Sequence, residues 1–126
     1  MARISSHERE VLLTNAWFAA IDPAIRDAMV ESAVRRQLPH GHCLFRRGAP
    51  YDGVYAVLDG SIRVSGTTHE GRESVMAFHE PGVWFGEISA FDGLPRTHDL
   101  HAHMATSLLW LRPVEFEKLL RAHPPL

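Results

Sequence analysis

The stretch GVYAVLDGSIRVSG, residues 53–66, contains two short runs of strand-forming residues separated by Asp59-Gly60. An Asp-Gly pair between such runs is a turn signal. In the second run, residues 61–65, apolar and polar side chains alternate, which is typical of a strand with one face buried and the other in water. This stretch therefore predicts a strand, a tight turn and a second strand.

Further strand candidates occur at nearly regular intervals on both sides of this stretch, and most are bounded by turn residues. Many short strands with this spacing favour a sandwich or barrel. We therefore predict a mainly β fold, a jelly-roll (double-stranded β-helix) barrel. The additional candidates are CLF at 43–45, RESVMAFHEPG at 72–82, HDLHAHM at 98–104 and TSLLWL at 106–111.

Helical patterns flank the predicted strands. Ser5 followed by Glu8 is a capping-box pattern, and Asp22-Pro23 offers a second helix its N-cap and its first-turn proline. A third helical pattern begins near Pro113. The predicted organisation is a single domain, residues 1–126, with a helical lead-in at 1–36, a β-roll at 37–112 and a helix at 113–123.

The composition argues against several classes of protein. The formal net charge of −2 provides no electrostatic footprint for DNA. No apolar run approaches the roughly 20 residues needed to span a bilayer, and the first ten residues contain no apolar signal core. The one cysteine, Cys43, cannot form an internal disulfide and fits a reducing compartment. We therefore expect a cytoplasmic protein with no membrane association.

The stretch FGEISAFDGLPRTHDLHAH, residues 85–103, carries the candidate binding groups. Gly86 allows a ligand to approach the backbone, and a turn of helix over EISAF would present free N–H groups to an anion. Arg96 supplies a guanidinium suited to a phosphate, and we expect its side chain to face a ligand rather than the core. Glu87 is suited to accept a hydrogen bond from a sugar hydroxyl. Since the glycine-rich polyphosphate loop ending in Lys-Ser/Thr is absent, these groups predict a nucleotide with a single compact charge.

These residues resemble the phosphate-binding cassette of cyclic-nucleotide-binding domains. Two further matches are similar to the family's opening strands and to its closing strand and helix: LFRRGAPYDGVYAVLDGSIRV and LLWLRPVEFEKLL. With EPGVWFGE, the likeness covers roughly residues 37–123, and it is strongest to the sensor half of Crp/Fnr-type bacterial transcription regulators. The positions that match the cassette are Phe85-Gly86-Glu87, Ala90-Phe91 and Arg96-Thr97.

The resemblance implies a role for each matched residue. Glu87 would hold the ribose 2′-hydroxyl, Arg96 the cyclic phosphate, and Thr97 the phosphate or the base. The implied effector is a cyclic nucleotide, cyclic AMP in preference to cyclic GMP, bound by a regulatory domain that is not an enzyme. A homodimer is implied in the same way, as are DNA contacts made only through a domain absent from this chain. The remaining implied contacts are backbone groups of Gly86, Ile88 and Ser89 and the pocket walls Val75 and Phe85.

His98 departs from the family pattern, because the second residue after the cassette arginine is normally small and apolar. Strand alternation puts His98 on the same face as Leu100 and Ala102, which points into the roll. Two interpretations are open: a hydrogen-bonded core histidine, or a group that changes the affinity of the pocket for a cyclic nucleotide. His98 is therefore included among the ligand-binding candidates.

Two other functions fit the same pattern. A ligand-free β-roll used for dimerisation or docking shares every fold-level feature. A metal-binding protein could use Asp99, His101 and His103, which share one strand face and are suitable ligands for zinc or iron. Cupins, which have the same jelly-roll architecture, use an H-x-H pair such as His40 and His42, but no glutamate follows this pair at the required spacing. Since the face that carries Asp99 is expected to point outward, we predict no metal site.

Overall fold

A computed structural model describes residues 3–122, in which eight strands form two antiparallel sheets of four strands each. In the first sheet the strand order is β1 (Val34–Leu38), β8 (Thr106–Leu111), β3 (Val54–Asp59) and β6 (Trp84–Phe85). In the second it is β2 (Cys43–Phe45), β7 (Asp99–Ala102), β4 (Ile62–Thr67) and β5 (Glu73–His79). The predicted mainly β jelly roll is confirmed. Within the described part of the chain the two sheets share no hydrogen-bonded edge, so the roll is open rather than a closed barrel.

The two strands of the opening stretch, β3 and β4, lie in different sheets and do not pair with each other. The turn at Asp59-Gly60 therefore carries the chain from one sheet to the other. The turn is held against β8, because the hydroxyl of Thr106 accepts from the Ser61 amide and donates to the Ser61 carbonyl. The run of strand-forming residues in β3 and the alternation over residues 61–65 predicted the two strands correctly, but neither pattern carries information about their partners.

Five helices surround the sheets in the described residues: α1 (Ser6–Leu13), α2 (Ala16–Ala19), α3 (Pro23–Ser32), α4 (Glu87–Asp92) and α5 (Pro113–Ala122). The capping box of Ser5 and Glu8 is present at α1, and the carboxylate of Asp22 caps α3. β1 begins at Val34, three residues before the predicted start of the roll, because Val34 already pairs with Trp110 of β8. Residue 123, the predicted end of the last helix, lies outside the described residues. No helix among residues 3–122 is long and apolar enough to cross a bilayer.

The first sheet is buried on both faces. Along β3, Val54, Ala56 and Leu58 pack in the apolar layer that includes residues of α1, α3 and α5. The alternate residues, Tyr55 and Val57, pack in a second layer between the two sheets. Since both faces are covered, β3 is buried from Val54 to Leu58 and lacks the alternation of apolar and polar residues seen in the sequence of β4.

Candidate functional site

A cavity of about 260 Å³ lies between the sheets beside Arg96. α4 and the segment from Pro95 to His98 form part of its wall. The structure therefore brings together seven of the nine sequence-predicted ligand-binding residues, and these seven are Phe85, Gly86, Glu87, Ser89, Arg96, Thr97 and His98.

The other two predicted residues are Ile88 and Val75. Ile88 lies in the first turn of α4, and the structure describes its backbone position. Val75 lies on the edge strand β5, is 48% exposed and does not line the cavity, which corrects its predicted place in the pocket wall. The physical reason is distance along the strand. His79 is the residue through which β5 contributes to the cavity, and Val75, four residues earlier, lies about 13 Å from His79 at about 3.3 Å per residue.

Arg96 is buried against its own protein, with 5% of its surface exposed. Its Nη1 donates to the Gly86 carbonyl at 2.7 Å, and its Nη2 donates to Asp52 Oδ1 and to the Gly53 carbonyl, both at 2.8 Å. The guanidinium carbon also lies 4.3 Å from the centre of the Phe45 ring. The expectation that Arg96 faces a ligand rather than the core is therefore wrong for most of the guanidinium.

One part of the guanidinium is left without a partner. Arg96 Nε is buried and makes no hydrogen bond to any described residue, although Arg96 lines the cavity. A buried donor of a charged group without an acceptor costs more than an ordinary unmade hydrogen bond. This orphaned donor is the feature of the site that fits an anionic ligand.

Two glycines make the enclosure of Arg96 possible. Gly53 has φ +124° and Gly86 has φ +96°, which side chains other than glycine rarely adopt. A Cβ on Gly53 would lie 2.5 Å from the Leu111 carbonyl, and a Cβ on Gly86 would lie 3.1 Å from Arg96 Nη1. A side chain at position 86 would therefore crowd the guanidinium itself, and one at position 53 would collide with β8.

Asp52 is one of two residues at the site that sequence reasoning missed. Its carboxylate accepts from Arg96 and also from the hydroxyl of Tyr55, at 2.8 Å in each case, and its carbonyl accepts from Trp110 Nε1 at 2.8 Å. Burial, together with the hydrogen bond to Asp52, raises the pKa of Tyr55, which stays a neutral donor. Asp52 and Arg96 are 44 positions apart, so no local motif signals the pair.

Glu87 occupies the first turn of α4 and is half-buried. Its carboxylate makes no hydrogen bond to a described residue, so it is free to accept one from a ligand. The N-cap of α4 is Gly86, and no side chain caps the helix. The first amides of a helix have no partner within the helix, so those of α4 are available at the cavity wall.

Two imidazoles line the same cavity. His98 lies on the cavity wall, and its Nδ1 is 2.9 Å from Thr97 Oγ1, in a hydrogen bond. Leu100 and Ala102, predicted to share its strand face, are buried. His79, which sequence reasoning missed, stacks on Phe85 with ring centres 4.7 Å apart. Burial lowers the pKa of His79. Its neighbours along β5 are exposed apolar residues, so hydropathy alternation did not mark this position.

The three residues of the metal hypothesis do not form a centre. Asp99 Oδ1 accepts from the Arg47 amide at 2.8 Å, and His103 packs edge-on against Phe78. Among residues 3–122, no group of three or more His, Cys, Asp or Glu side chains is arranged to hold a metal ion.

Comparison with known proteins identifies the same region. The family model described as "Cyclic nucleotide-binding domain" matches residues 35–123. The chain is 28% identical over 109 residues to the CRP-like cAMP-activated global transcriptional regulator of Mycobacterium tuberculosis, covering 86% of this chain and 46% of that protein. It is 31% identical over 107 residues to the cyclic AMP receptor protein of Thermus thermophilus, covering 85% of this chain and 50% of that protein. The chain thus spans about half the length of these relatives.

Solved structures of related domains superpose on the chain. The chain superposes on the N-terminal domain of a transcriptional regulator from Streptomyces coelicolor A3(2) with a TM-score of 0.81 and 33% identity, covering 90% of this chain and 81% of that one. A putative cAMP-binding regulatory protein from Silicibacter pomeroyi is 22% identical and superposes with a TM-score of 0.84, covering 95% of this chain and 55% of that one. The second likeness concerns the fold alone.

Replacement of Arg96 should destabilise the fold. Arg96→Ala leaves the carbonyls of Gly53 and Gly86 without their donor, and we expect the free energy of unfolding to fall by about 2–3 kcal/mol. The loss stays below that of a fully buried ion pair because the Asp52 side chain is 40% exposed. Urea unfolding measures it, with Arg72→Ala, at an exposed arginine, as the matched control. Equal stability of the two variants would contradict a structural role for Arg96.

The half-buried His79 should make the free energy of unfolding depend on pH. Its pKa in the folded protein lies below the ordinary value of 6.5, so the unfolded chain takes up this proton at higher pH than the folded one. The free energy of unfolding should therefore decrease as pH falls below about 6.5 and stop responding to this group below its folded pKa. His79→Gln should reduce that slope, and His69→Gln, at an exposed position, should not. Urea unfolding between about pH 5 and pH 8 measures the difference, and parallel curves for wild type and His79→Gln would refute it.

Proposed function

The chain belongs to the cyclic nucleotide-binding domain family, and on that premise we propose that it is an effector-sensing regulatory domain that binds cyclic AMP in the cavity beside Arg96. Arg96 lines that cavity, and its Nε is buried without a hydrogen-bond acceptor among the described residues. This unsatisfied donor is the observation that carries the proposal. An anionic phosphate oxygen is a strong acceptor for a guanidinium N–H. The glycine-rich loop that binds polyphosphates is absent from the sequence.

The cyclic phosphate would be held by Arg96 and its neighbours. A guanidinium has five N–H donors, and the three bonds to Asp52, Gly53 and Gly86 leave Nε–H and one Nη1 hydrogen for a ligand. Thr97, which also lines the cavity, supplies a hydroxyl. The backbone amides at the start of α4, which include those of Ile88 and Ser89, supply further donors.

The ribose and the base would occupy the rest of the cavity. Glu87 is the available acceptor for the ribose 2′-hydroxyl, since its carboxylate has no partner among the described residues. The apolar wall is formed in part by Phe85 and by His79, which is stacked on it. The imidazole of His79 is half-buried and its pKa lies below the ordinary value of 6.5, so at pH 7 it is mostly neutral and adds no charge to the site.

The proposed role in the cell follows from the relatives. Two of them are named as a cAMP-activated transcriptional regulator and a cyclic AMP receptor protein, and this chain spans about half of each. We infer that the domain acts by binding, without chemistry of its own, in a cytoplasmic homodimeric regulator. DNA would be contacted through a domain outside this chain.

One observation favours a second function, a roll that binds no nucleotide. Three acceptors of the protein itself already hold the Arg96 guanidinium, so the protein supplies much of what a phosphate would supply. Such a roll would serve in dimerisation or docking. Binding measurements separate the two functions.

Isothermal titration calorimetry with cyclic AMP and cyclic GMP tests the proposal. We expect wild-type protein to bind cyclic AMP more tightly than cyclic GMP. Glu87→Gln should weaken cyclic AMP binding by about 10- to 100-fold, because a hydrogen bond to a charged group contributes about 1.5–3 kcal/mol. Glu117→Gln, at an exposed position on α5, is the matched control and should bind as wild type does. Absence of heat with either nucleotide at millimolar concentration would favour the ligand-free roll.

A further inference from the structure

A second cavity, of about 190 Å³, lies on the other side of Trp84, between the first sheet and the helices. Its wall consists mainly of aromatic rings, those of Trp17, Trp84, Phe91 and Phe116. This volume exceeds the roughly 150 Å³ of an engineered cavity that binds benzene, so a single planar ring fits. The aromatic walls can pack against such a ring.

The cavity wall contains a buried donor without an acceptor. Trp84 is 9% exposed, and its Nε1 is buried with no hydrogen-bond partner among the described residues. Its ring is fixed in place, stacked on Phe18 at 5.2 Å and edge-on to Trp17 at 6.1 Å. Buried indole N–H groups normally find an acceptor, as Trp110 does at the Asp52 carbonyl.

The same wall contains an acceptor without a donor. Glu87 lines both cavities, and its carboxylate makes no hydrogen bond to a described residue. A ligand of this cavity thus meets the N–H donor of Trp84, the carboxylate acceptor of Glu87 and the side-chain amide of Asn15, whose Oδ1 already accepts from the Phe18 amide. The complementary chemistry is a group that accepts and donates at neighbouring atoms, as a primary amide does. The negative charge of Glu87 disfavours an anionic ligand.

We propose that this cavity is a second ligand site, which takes a small planar aromatic molecule bearing a carboxamide. The ring packs between Phe91, Phe116 and Trp17, the amide carbonyl accepts from Trp84 Nε1, and the amide N–H donates to Glu87. The site is separate from the cavity beside Arg96, although both share Trp84 and Glu87 in their walls. It does not rest on the proposed function, and its test uses no cyclic nucleotide.

Nuclear magnetic resonance of the indole N–H groups, with benzamide as the probe, tests the site. The described residues include three tryptophans, and Trp84→Phe identifies the resonance of Trp84 by its loss. If Trp84→Phe does not fold, Trp17→Phe and Trp110→Phe assign it by elimination. Benzamide should shift the Trp84 resonance with a dissociation constant of about 1 mM, as expected for a ligand of its size. The Trp110 resonance, whose N–H is already bonded to Asp52, should stay in place.

Two matched controls make the result specific. Benzoate has the same ring but carries a negative charge and no N–H, so it should leave the Trp84 resonance unshifted. Phe91→Ala removes a ring that is 62% exposed, so the fold should survive while benzamide binding weakens at least about fivefold. Leu94→Ala, at a residue 60% exposed that does not line this cavity, should bind benzamide as wild type does. The proposal is overturned if benzamide leaves the Trp84 resonance unshifted, if benzoate shifts it equally, or if Phe91→Ala binds benzamide as tightly as Leu94→Ala.

Discussion

The buried guanidinium of Arg96 joins the separate chain segments that form the first cavity. Its side chain binds the Asp52–Gly53 segment before β3 and the Gly86 carbonyl before α4. Its backbone amide donates to the Ala49 carbonyl, and its carbonyl accepts from the Gly48 amide, at 2.8 Å in each case. The strands position these segments only roughly, because each bond forms in a loop beyond a strand end. The side chain and the backbone of this one residue therefore hold three loop segments together beside the cavity.

This arrangement gives Arg96 two roles that act on different atoms. The Nη groups satisfy protein acceptors, whereas Nε remains without one. A site whose charged group is already held by its own protein loses little side-chain entropy when a ligand binds, which is the benefit of preorganisation. The cost is that stability and ligand binding cannot be separated at Arg96. They can be separated at Glu87, whose carboxylate contributes no hydrogen bond to the described fold.

Local physics explains which features were predictable. The caps at Ser5 and Asp22 depend on residues a few positions apart, and the structure contains both. The strand predicted at residues 61–65 is also present, but its polar face is not in water, because Ser61 and Ser65 are buried. Seven of the nine predicted ligand-binding residues also line one cavity. What a local pattern cannot contain is the partner of each element: β3 and β4 follow each other yet lie in different sheets, and Asp52 meets Arg96 across 44 positions. Val75 was misplaced for the same reason, since its exposure follows from the edge position of β5 in the sheet, which the local sequence does not contain.

The two-residue strand β6 contributes to the walls of both cavities. In β6, consecutive side chains point to opposite faces, so Trp84 packs in the layer under the helices and Phe85 packs between the sheets. Gly86 then turns the chain with a positive φ, and Glu87 begins α4 in the wall that the two cavities share. A shift of register by one residue would exchange the two aromatic faces and would also displace the Gly86 carbonyl from Arg96. The position of Gly86 therefore couples the packing of the helices to the geometry of the anion-binding candidate.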